Sequence, residues 1–156
     1  MELIRRYFLT YGPATVEDCL VFFHYRKREM ARKIKQDARL NSLTCNGEEY
    51  LFAGDIPGEK GIPECLFLTG FDPMMMGYKK YNRTYLIDKK YLGEIVTLQG
   101  IIFPTVLLGG RVQAKWKMEK QLLVTPLEKI SLKNQRLIQK TGEEIFKREV
   151  ILDNNK

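Results

Sequence analysis

Residues 101–116 read IIFPTVLLGGRVQAKW, and this stretch decides the fold of the second half of the chain. The pair Gly109-Gly110 can supply the positive φ angles of a tight two-residue turn, so it predicts a hairpin of two strands. Side chains alternate between the two faces of a strand. After the turn we therefore expect a core face of Val112, Ala114, Trp116 and Met118. The opposite face would be a basic stripe of Arg111, Gln113, Lys115 and Lys117.

Further elements flank this hairpin. The apolar run Cys65–Leu68 predicts a buried strand, and residues 121–125 predict another. Ser131 is a good helix cap, so we expect a last helix over about residues 132–149, whose packing face is Leu137, Ile138, Ile145 and Phe146. These elements predict a β-rich unit with a hairpin and a C-terminal helix over residues 62–156.

The first 56 residues have the element order of a winged helix. Helices are predicted over residues 2–10 and 27–41, and a third between them begins at Thr15, which has the Thr-x-x-acid pattern of a helix start. The pair Asn46-Gly47 then marks a hairpin. Three helices followed by a hairpin predict a winged helix-turn-helix over residues 1–56. The loop-like composition of residues 55–61 predicts a domain boundary, and the fold class is α+β.

The predicted helix over residues 27–41 carries a row of cations. The row is spaced 4, 3 and 4 residues apart, which places its members on one helix face, and it consists of Arg28, Arg32, Lys35 and Arg39. Four like charges in a row weaken a helix unless an anion lies along them. The row therefore fits a recognition helix in a DNA groove, and it also fits an ordinary solvated helix face.

A second basic segment combines cations with tyrosines. Its cations include Lys79, Lys80 and Arg83, and they alternate with tyrosines at positions 78, 81, 85 and 91. Lysines can contact phosphates while tyrosines stack on sugars or bases. The same pattern is typical of a loop whose tyrosines anchor it to the core. Both interpretations remain open at this point.

Charge is unevenly distributed along the 156 residues, whose net charge is +7. Residues 1–42 carry nine basic and five acidic side chains, and residues 77–156 carry 16 and 8. The segment between them carries one basic and six acidic side chains. Two basic segments around an acidic one suit a polyanionic partner that is contacted at two places. A lysine-rich solvated surface would show the same totals.

The remaining composition narrows the class of protein. Cys19, Cys45 and Cys65 are widely spaced and odd in number, so we expect small buried side chains in a reducing compartment, the cytoplasm. No apolar run reaches the roughly 18 residues that a membrane span needs. The sequence contains neither a phosphate-binding glycine motif nor a zinc-protease motif. We therefore expect no cofactor and no metal.

Several short motifs resemble one protein family. They occur in the same order as in that family and span nearly the whole chain, and they are Arg6-Tyr7, Gly12-Pro13-Ala14-Thr15, Gly70-Phe71-Asp72-Pro73, Gly77-Tyr78, Gly100 to Leu107, Gly109, Arg111-Val112 and Trp116. Together they resemble the C-terminal part of the winged-helix DNA glycosylases of the YcaQ/AlkZ type, which unhook interstrand crosslinks and remove alkylated bases. The resemblance implies double-stranded DNA as partner, and a hairpin that probes DNA near the lesion. The Gly109-Gly110 hairpin is our candidate for it.

The sequence departs from this family at its catalytic motif. Enzymes of the family carry Gln-x-Gln or Gln-x-Asp in their N-terminal portion, whereas none of the six glutamines here is followed two residues later by Gln or Asp. We therefore predict no catalytic residue. Asp72 lies in a family-like motif, but as the residue before Pro73 it is better explained as a helix cap.

Three hypotheses follow from these patterns. The first is a double-stranded DNA-binding module that lacks the catalytic part of a repair glycosylase. The second is an active glycosylase that uses an unrecognised carboxylate such as Asp72, and the third is a protein-interaction domain with an acidic partner. The first hypothesis predicts these DNA contacts: Arg28, Arg32, Lys35, Arg39, Lys79, Lys80, Arg83, Arg111, Gln113 and Lys115.

Overall fold

A computed structural model describes residues 1–25, 28–55, 61 and 63–153, except for the side chains of Lys80 and Tyr81. The chain is mixed α+β, with a two-stranded and a five-stranded sheet, and this confirms the predicted fold class. It divides into two compact units. The first consists of Met1–Lys60 and Pro73–Asn82, and the second of Gly61–Asp72 and Arg83–Lys156. In the part of the chain that the structure describes, no helix is both long and apolar enough to cross a membrane.

The first unit begins with three helices and a hairpin. They are α1 (Glu2–Tyr11), α2 (Val16–Phe22), α3 (Arg28–Lys35), β1 (Asn41–Cys45) and β2 (Glu48–Phe52). As predicted, Thr15 caps α2: its hydroxyl accepts from the Asp18 N–H, and the Asp18 carboxylate accepts from the Thr15 N–H. The turn Asn46-Gly47 joins β1 and β2 with φ values of 52° and 79°, as a tight hairpin requires.

The core of the first unit lies between the three helices and the hairpin. Its buried side chains are Ile4, Tyr7, Phe8, Ala14, Cys19, Ile34, Leu51 and Ala53. A short helix, α4 (Pro73–Met76), also belongs to this unit. Of its three methionines only Met75 is buried, whereas Met74 and Met76 are exposed, so the predicted core-facing methionine cluster is wrong for two of its members.

Helix α3 is shorter than the sequence predicts. It ends at Lys35, whereas the expected helix continued to Asn41. The cause is Asp37, whose carboxylate accepts a 3.1 Å hydrogen bond from the Arg39 N–H. This local turn competes with helical hydrogen bonding, as aspartate side chains commonly do. Arg39 therefore lies in a turn, and the cationic row on the helix consists of Arg28, Arg32 and Lys35.

A five-stranded sheet forms the second unit, in the order β3-β4-β5-β6-β7. Its strands are β3 (Cys65–Leu68), β4 (Thr105–Leu108), β5 (Arg111–Met118), β6 (Leu122–Pro126) and β7 (Val150–Leu152). Neighbouring strands are antiparallel except β6 and β7, which are parallel. Before the β4–β5 hairpin the chain forms 3₁₀ turns over Lys80–Tyr85 and Lys89–Tyr91 and the short helix α5 (Leu92–Ile95).

A β-bulge changes which residues of β5 share a face. Val112 pairs with Leu107 and Ala114 pairs with Val106, so Gln113 is the extra residue between them. Because adjacent residues on β4 point to opposite faces, Val112 and Ala114 lie on opposite faces too. Ala114 belongs to the core cluster under the last helix and the partly buried Trp116 packs against that cluster, whereas Val112 is not part of it. The predicted core face of Val112, Ala114, Trp116 and Met118 is therefore wrong for Val112, and it is also wrong for Met118, which is exposed.

The last helix, α6 (Leu132–Phe146), packs on one face of this sheet. Ser131 caps it as predicted, because its hydroxyl accepts from the Asn134 N–H. Ile138 is fully buried, but Ile145 is exposed, which contradicts its place in the predicted packing face. The helix ends three residues earlier than expected, at Phe146, because Lys147 turns left-handed with a φ of 54°.

Candidate nucleic-acid interface

The two arginines of α3 form an exposed cationic surface. Arg28 and Arg32 are four residues apart on the helix and both are exposed. Within the described residues neither forms an ion pair. The lysines of the same helix differ, since Lys33 pairs with Glu29 at 2.8 Å and Lys35 pairs with Glu49 of β2 at 2.9 Å. Arg28 and Arg32 can therefore meet an anion without first breaking an ion pair.

Arg39 was expected on the same helix face but is held elsewhere. Its guanidinium donates to both carboxylate oxygens of Asp37, at 2.8 and 2.7 Å, and lies 3.7 Å from Glu2. The hydrogen bond from Arg39 lowers the pKa of Asp37 to about 2. The positive charge of Arg39 is therefore balanced by the carboxylates of Asp37 and Glu2, and it adds little to the attraction of an external anion.

Lys79 lies beside a buried carboxylate of the first unit. Asp18 is 1% exposed and accepts hydrogen bonds from the Lys79 N–H at 2.7 Å and from the Asn82 amide at 3.1 Å. It also accepts the Thr15 hydroxyl at 2.7 Å. The Lys79 ammonium pairs with Glu17 at 2.6 Å. The sequence identified Asp18 only as part of a cap, because no short-range pattern indicates a partner 61 residues away.

Two tyrosines, Tyr78 and Tyr7, form hydrogen bonds within the first unit. The Tyr78 hydroxyl donates to the Tyr11 carbonyl at 2.8 Å, and the Tyr7 hydroxyl donates to the Gly77 carbonyl at 2.6 Å. Burial raises the pKa of Tyr7. Gly77 is needed here, because a Cβ atom would overlap the Tyr11 ring. Tyr78 therefore anchors its loop to the core, which was the second of the two interpretations.

Two other predicted contacts in this segment have different outcomes. The side chain of Lys80 lies outside the described part of the structure. Arg83 is only 8% exposed, so its guanidinium is not on an open surface. A buried arginine needs internal partners for its charge. The buried position of Arg83 contradicts its prediction as a surface contact.

The β4–β5 hairpin separates the residues of the predicted basic stripe. Arg111 donates to the carbonyls of Thr84 and Tyr85, at 3.1 and 2.8 Å. Lys115 lies 3.4 Å from Glu94 of α5. Gln113 instead lines a cavity of about 400 Å³ together with Glu64, Leu108, Gly109, Lys133, Asn134 and Leu137. The bulge is the physical cause, since it reverses the alternation of faces at Gln113.

Helix α6 carries cations that the sequence analysis did not select. Lys133, Arg136 and Lys140 are exposed and three and four residues apart. Their spacing was available in the sequence as a helical signal. The apolar face of this helix is enough to predict the helix, but it gives no sign of the cations on the other side.

Within the described residues we find no cluster of side chains arranged for catalysis. Among residues 1–25, 28–55, 61 and 63–153, no group of three His, Cys, Asp or Glu side chains could hold a metal ion. His24 is exposed in a turn with a φ of 55°. Asp72 is half-buried directly before α4, and its role as a cap stays a prediction. The oxygens of Asp18, the buried carboxylate, are occupied by hydrogen bonds.

Comparison with known proteins gives the class to which this chain belongs. A family model described as "DNA glycosylase AlkZ-like" matches residues 1–146, and the chain belongs to that family. The solved structure of Streptomyces sahachiroi DNA glycosylase AlkZ is similar in fold, with a TM-score of 0.74 and 20% sequence identity. The match covers 97% of this chain and 45% of that chain. A search among curated proteins found no match.

Proposed function

We propose that this chain is a double-stranded DNA-binding module of an AlkZ-like repair glycosylase, with residues 1–56 as a winged helix. Its family membership and the order α1-α2-α3-β1-β2 support this proposal. In a winged helix the third helix would enter the major groove. The hairpin β1–β2 would be a structural wing, because Glu48 and Glu49 beside its turn repel phosphates. Of the predicted second domain, residues 62–156, all but residues 73–82, which belong to the first unit, would form a second, β-rich DNA-contacting domain.

The proposal rests mainly on the exposure and the ion pairing of Arg28 and Arg32. Both are exposed, lie on one helix face and form no ion pair within the described residues, so phosphate contacts cost no internal pairing. Affinity would come mainly from such contacts, with little base readout. The other retained candidates contribute less because each already has an internal partner, and they are Lys35, Arg39, Lys79, Arg111 and Lys115. Lys80 and Gln113 remain candidates as well.

We further propose that this chain holds DNA without cleaving the glycosidic bond. Cleavage needs a group that activates water and polar groups that stabilise a positively charged sugar. The family's glutamine motif has no counterpart in the sequence, and the Asp18 carboxylate is engaged by Thr15, Lys79 and Asn82. Cys19 and Cys65 are buried single side chains, which supports a reducing, cytoplasmic location, whereas Cys45 is exposed.

The test compares two double variants on the same helix. Arg28→Gln/Arg32→Gln removes the unpaired cations, and the matched control Lys33→Gln/Lys35→Gln removes the same charge from paired ones. Binding to a fluorescein-labelled duplex is measured by anisotropy over a salt series. We expect the arginine variant to lose about 2 from the slope of log K against log salt. The lysine control should lose less than half of that amount. Equal losses in both variants would contradict the assignment of the contacts to the unpaired arginines, and no loss in either variant would contradict α3 as the recognition helix.

A further inference from the structure

We propose that the exposed side of α6 is a second phosphate-binding surface, formed by Lys133, Arg136 and Lys140, which we call the α6 row. This inference rests on the proposed DNA binding and adds a surface in the second unit. The three cations are all exposed, and their spacing of three and four residues places them on one helix side. None of them belongs to the β4–β5 hairpin that the sequence analysis favoured.

Like Arg28 and Arg32, and unlike several other helical cations, the α6 row forms no ion pair within the described residues. In α1, Arg5 and Arg6 pair with Glu2, and in α3, Lys33 pairs with Glu29. No carboxylate of the described residues lies within ion-pair distance of the α6 row. Like charges three or four residues apart destabilise a helix slightly. An anion bound along the row would remove this repulsion.

Local charge shows which part of the helix would face the anion. Residues 129–140 contain four basic side chains, including Lys129 before the cap, and no acidic one. The glutamates Glu143 and Glu144 follow only at the far end of the helix. A polyanion would therefore lie across the N-terminal two-thirds of α6 and leave its C-terminal turn free.

The α6 row also borders the β4–β5 hairpin. Lys133 lines the cavity of about 400 Å³ whose other walls include Gly109 of the hairpin turn, Gln113 and Asn134. Two amide side chains and an ammonium at one rim offer hydrogen-bond donors to phosphate and sugar oxygens. Glu64 on the cavity wall repels phosphate, so the nucleic-acid strand would pass on the side of Lys133 and Asn134.

The length of the row suits a DNA strand. Lys133 and Lys140 are seven residues apart, which is roughly 10.5 Å along a helix at 1.5 Å per residue. A DNA strand carries one phosphate per about 3.4 Å of its axis, so the row spans about three phosphates. The number of cations matches the number of phosphates within reach. Duplex DNA is therefore the polyanion that we infer for this surface.

The test removes the row and compares it with an equal loss of charge elsewhere in the second unit. The first variant is Lys133→Gln/Arg136→Gln/Lys140→Gln, and its control is Lys89→Gln/Lys120→Gln/Arg148→Gln. Binding to a 20-base-pair duplex is measured by anisotropy over a salt series. We expect the row variant to lose about 3 from the slope of log K against log salt, and the control to lose less than 1. Acetic anhydride labelling of the wild type should also show that DNA protects Lys133 and Lys140 but not Lys120.

The outcomes separate this inference from the proposed function. If the row variant keeps the wild-type slope while Arg28→Gln/Arg32→Gln loses part of it, only the α6 surface is overturned. If the control loses as much as the row variant, net charge explains the effect and the surface is again overturned. Wild-type protein that binds no duplex would overturn the proposed function and this inference together. Loss of slope confined to the row variant, with Lys133 and Lys140 protected, would support the surface.

Discussion

The Asp18 carboxylate accepts a 2.7 Å hydrogen bond from the backbone N–H of Lys79, 61 residues further along the chain. The Asn82 amide donates to the same carboxylate. Asp18 also closes the capping box of α2. One buried side chain therefore accepts hydrogen bonds both at the start of a helix and from the segment 73–82, which belongs to the first unit. The stability of this unit should therefore depend on Asp18 more than on any ion pair at its surface.

We predict that Asp18→Ala destabilises the protein by about 3 kcal/mol or more, because it leaves several buried donors without an acceptor. The matched control is Glu17→Ala, which removes the adjacent carboxylate and its exposed ion pair with Lys79. Such surface pairs contribute about 0–1 kcal/mol. The free energies of unfolding are measured by urea denaturation. Similar values for the two variants would show that the Asp18 network does not hold this unit together.

Gly142 tests how closely α6 packs on the sheet. A Cβ atom there would lie 2.8 Å from a Val150 methyl group and 3.0 Å from a Leu122 methyl group. Alanine favours a helix over glycine by about 1 kcal/mol, whereas overpacking costs about 1–3 kcal/mol. Because the Val150 side chain is stiff, we expect Gly142→Ala to be destabilising on balance. Gly93→Ala in α5, where nothing lies within 4 Å, should be neutral or stabilising. A stabilised Gly142→Ala protein would mean that the packing is looser than described.

The pair Asp37–Arg39 predicts a specific pH dependence. The folded pKa of Asp37 is about 2, below its ordinary value of about 3.9. A lowered folded pKa contributes stability that is fully present above the unfolded value and is lost as the pH falls through the folded one. The urea midpoint of wild type should therefore exceed that of Asp37→Asn at neutral pH. The difference should shrink as the pH falls from about 4 towards 2. A difference that stays constant over this range would contradict the role of Asp37.

Local signals predicted much of the fold correctly. The helices that begin at Glu2, Val16 and Leu132 were expected from their spacing and caps, and both hairpins were expected from their turn pairs. Each of these features depends on contacts within a few residues. The strand β7 was not predicted, because three residues carry no period and its parallel pairing with β6 is made across α6.

The candidate interface was predicted less well, because two local irregularities interrupt the regular helix and strand spacing on which the prediction depends. The turn at Asp37 moved Arg39 off the third helix, and the bulge at Gln113 moved Arg111 and Lys115 apart. A bulge depends on the partner strand, so the sequence of β5 alone gives no sign of it. Burial of Arg83 likewise depends on packing that no spacing rule describes.

Base excision is expected to be absent from this chain by itself. Duplexes that carry 7-methylguanine are incubated with the protein, and abasic sites are counted against the spontaneous background. We predict no release above background while DNA binding is intact, because the sequence lacks the family's glutamine motif. Release that disappears in Asp72→Asn would identify Asp72 as a catalytic carboxylate and would favour the second hypothesis.

The most direct test of the central claim is the salt dependence of duplex binding by the unaltered chain. If roughly four to six phosphates are neutralised, log K should fall against log salt with a slope of about −4 to −5 between roughly 50 and 200 mM salt. Arg28, Arg32 and the α6 row supply most of the cations for this slope. Anisotropy with a labelled duplex measures it. A flat response over this range, or no binding at the lowest salt, would contradict the account of this protein as a DNA-binding module.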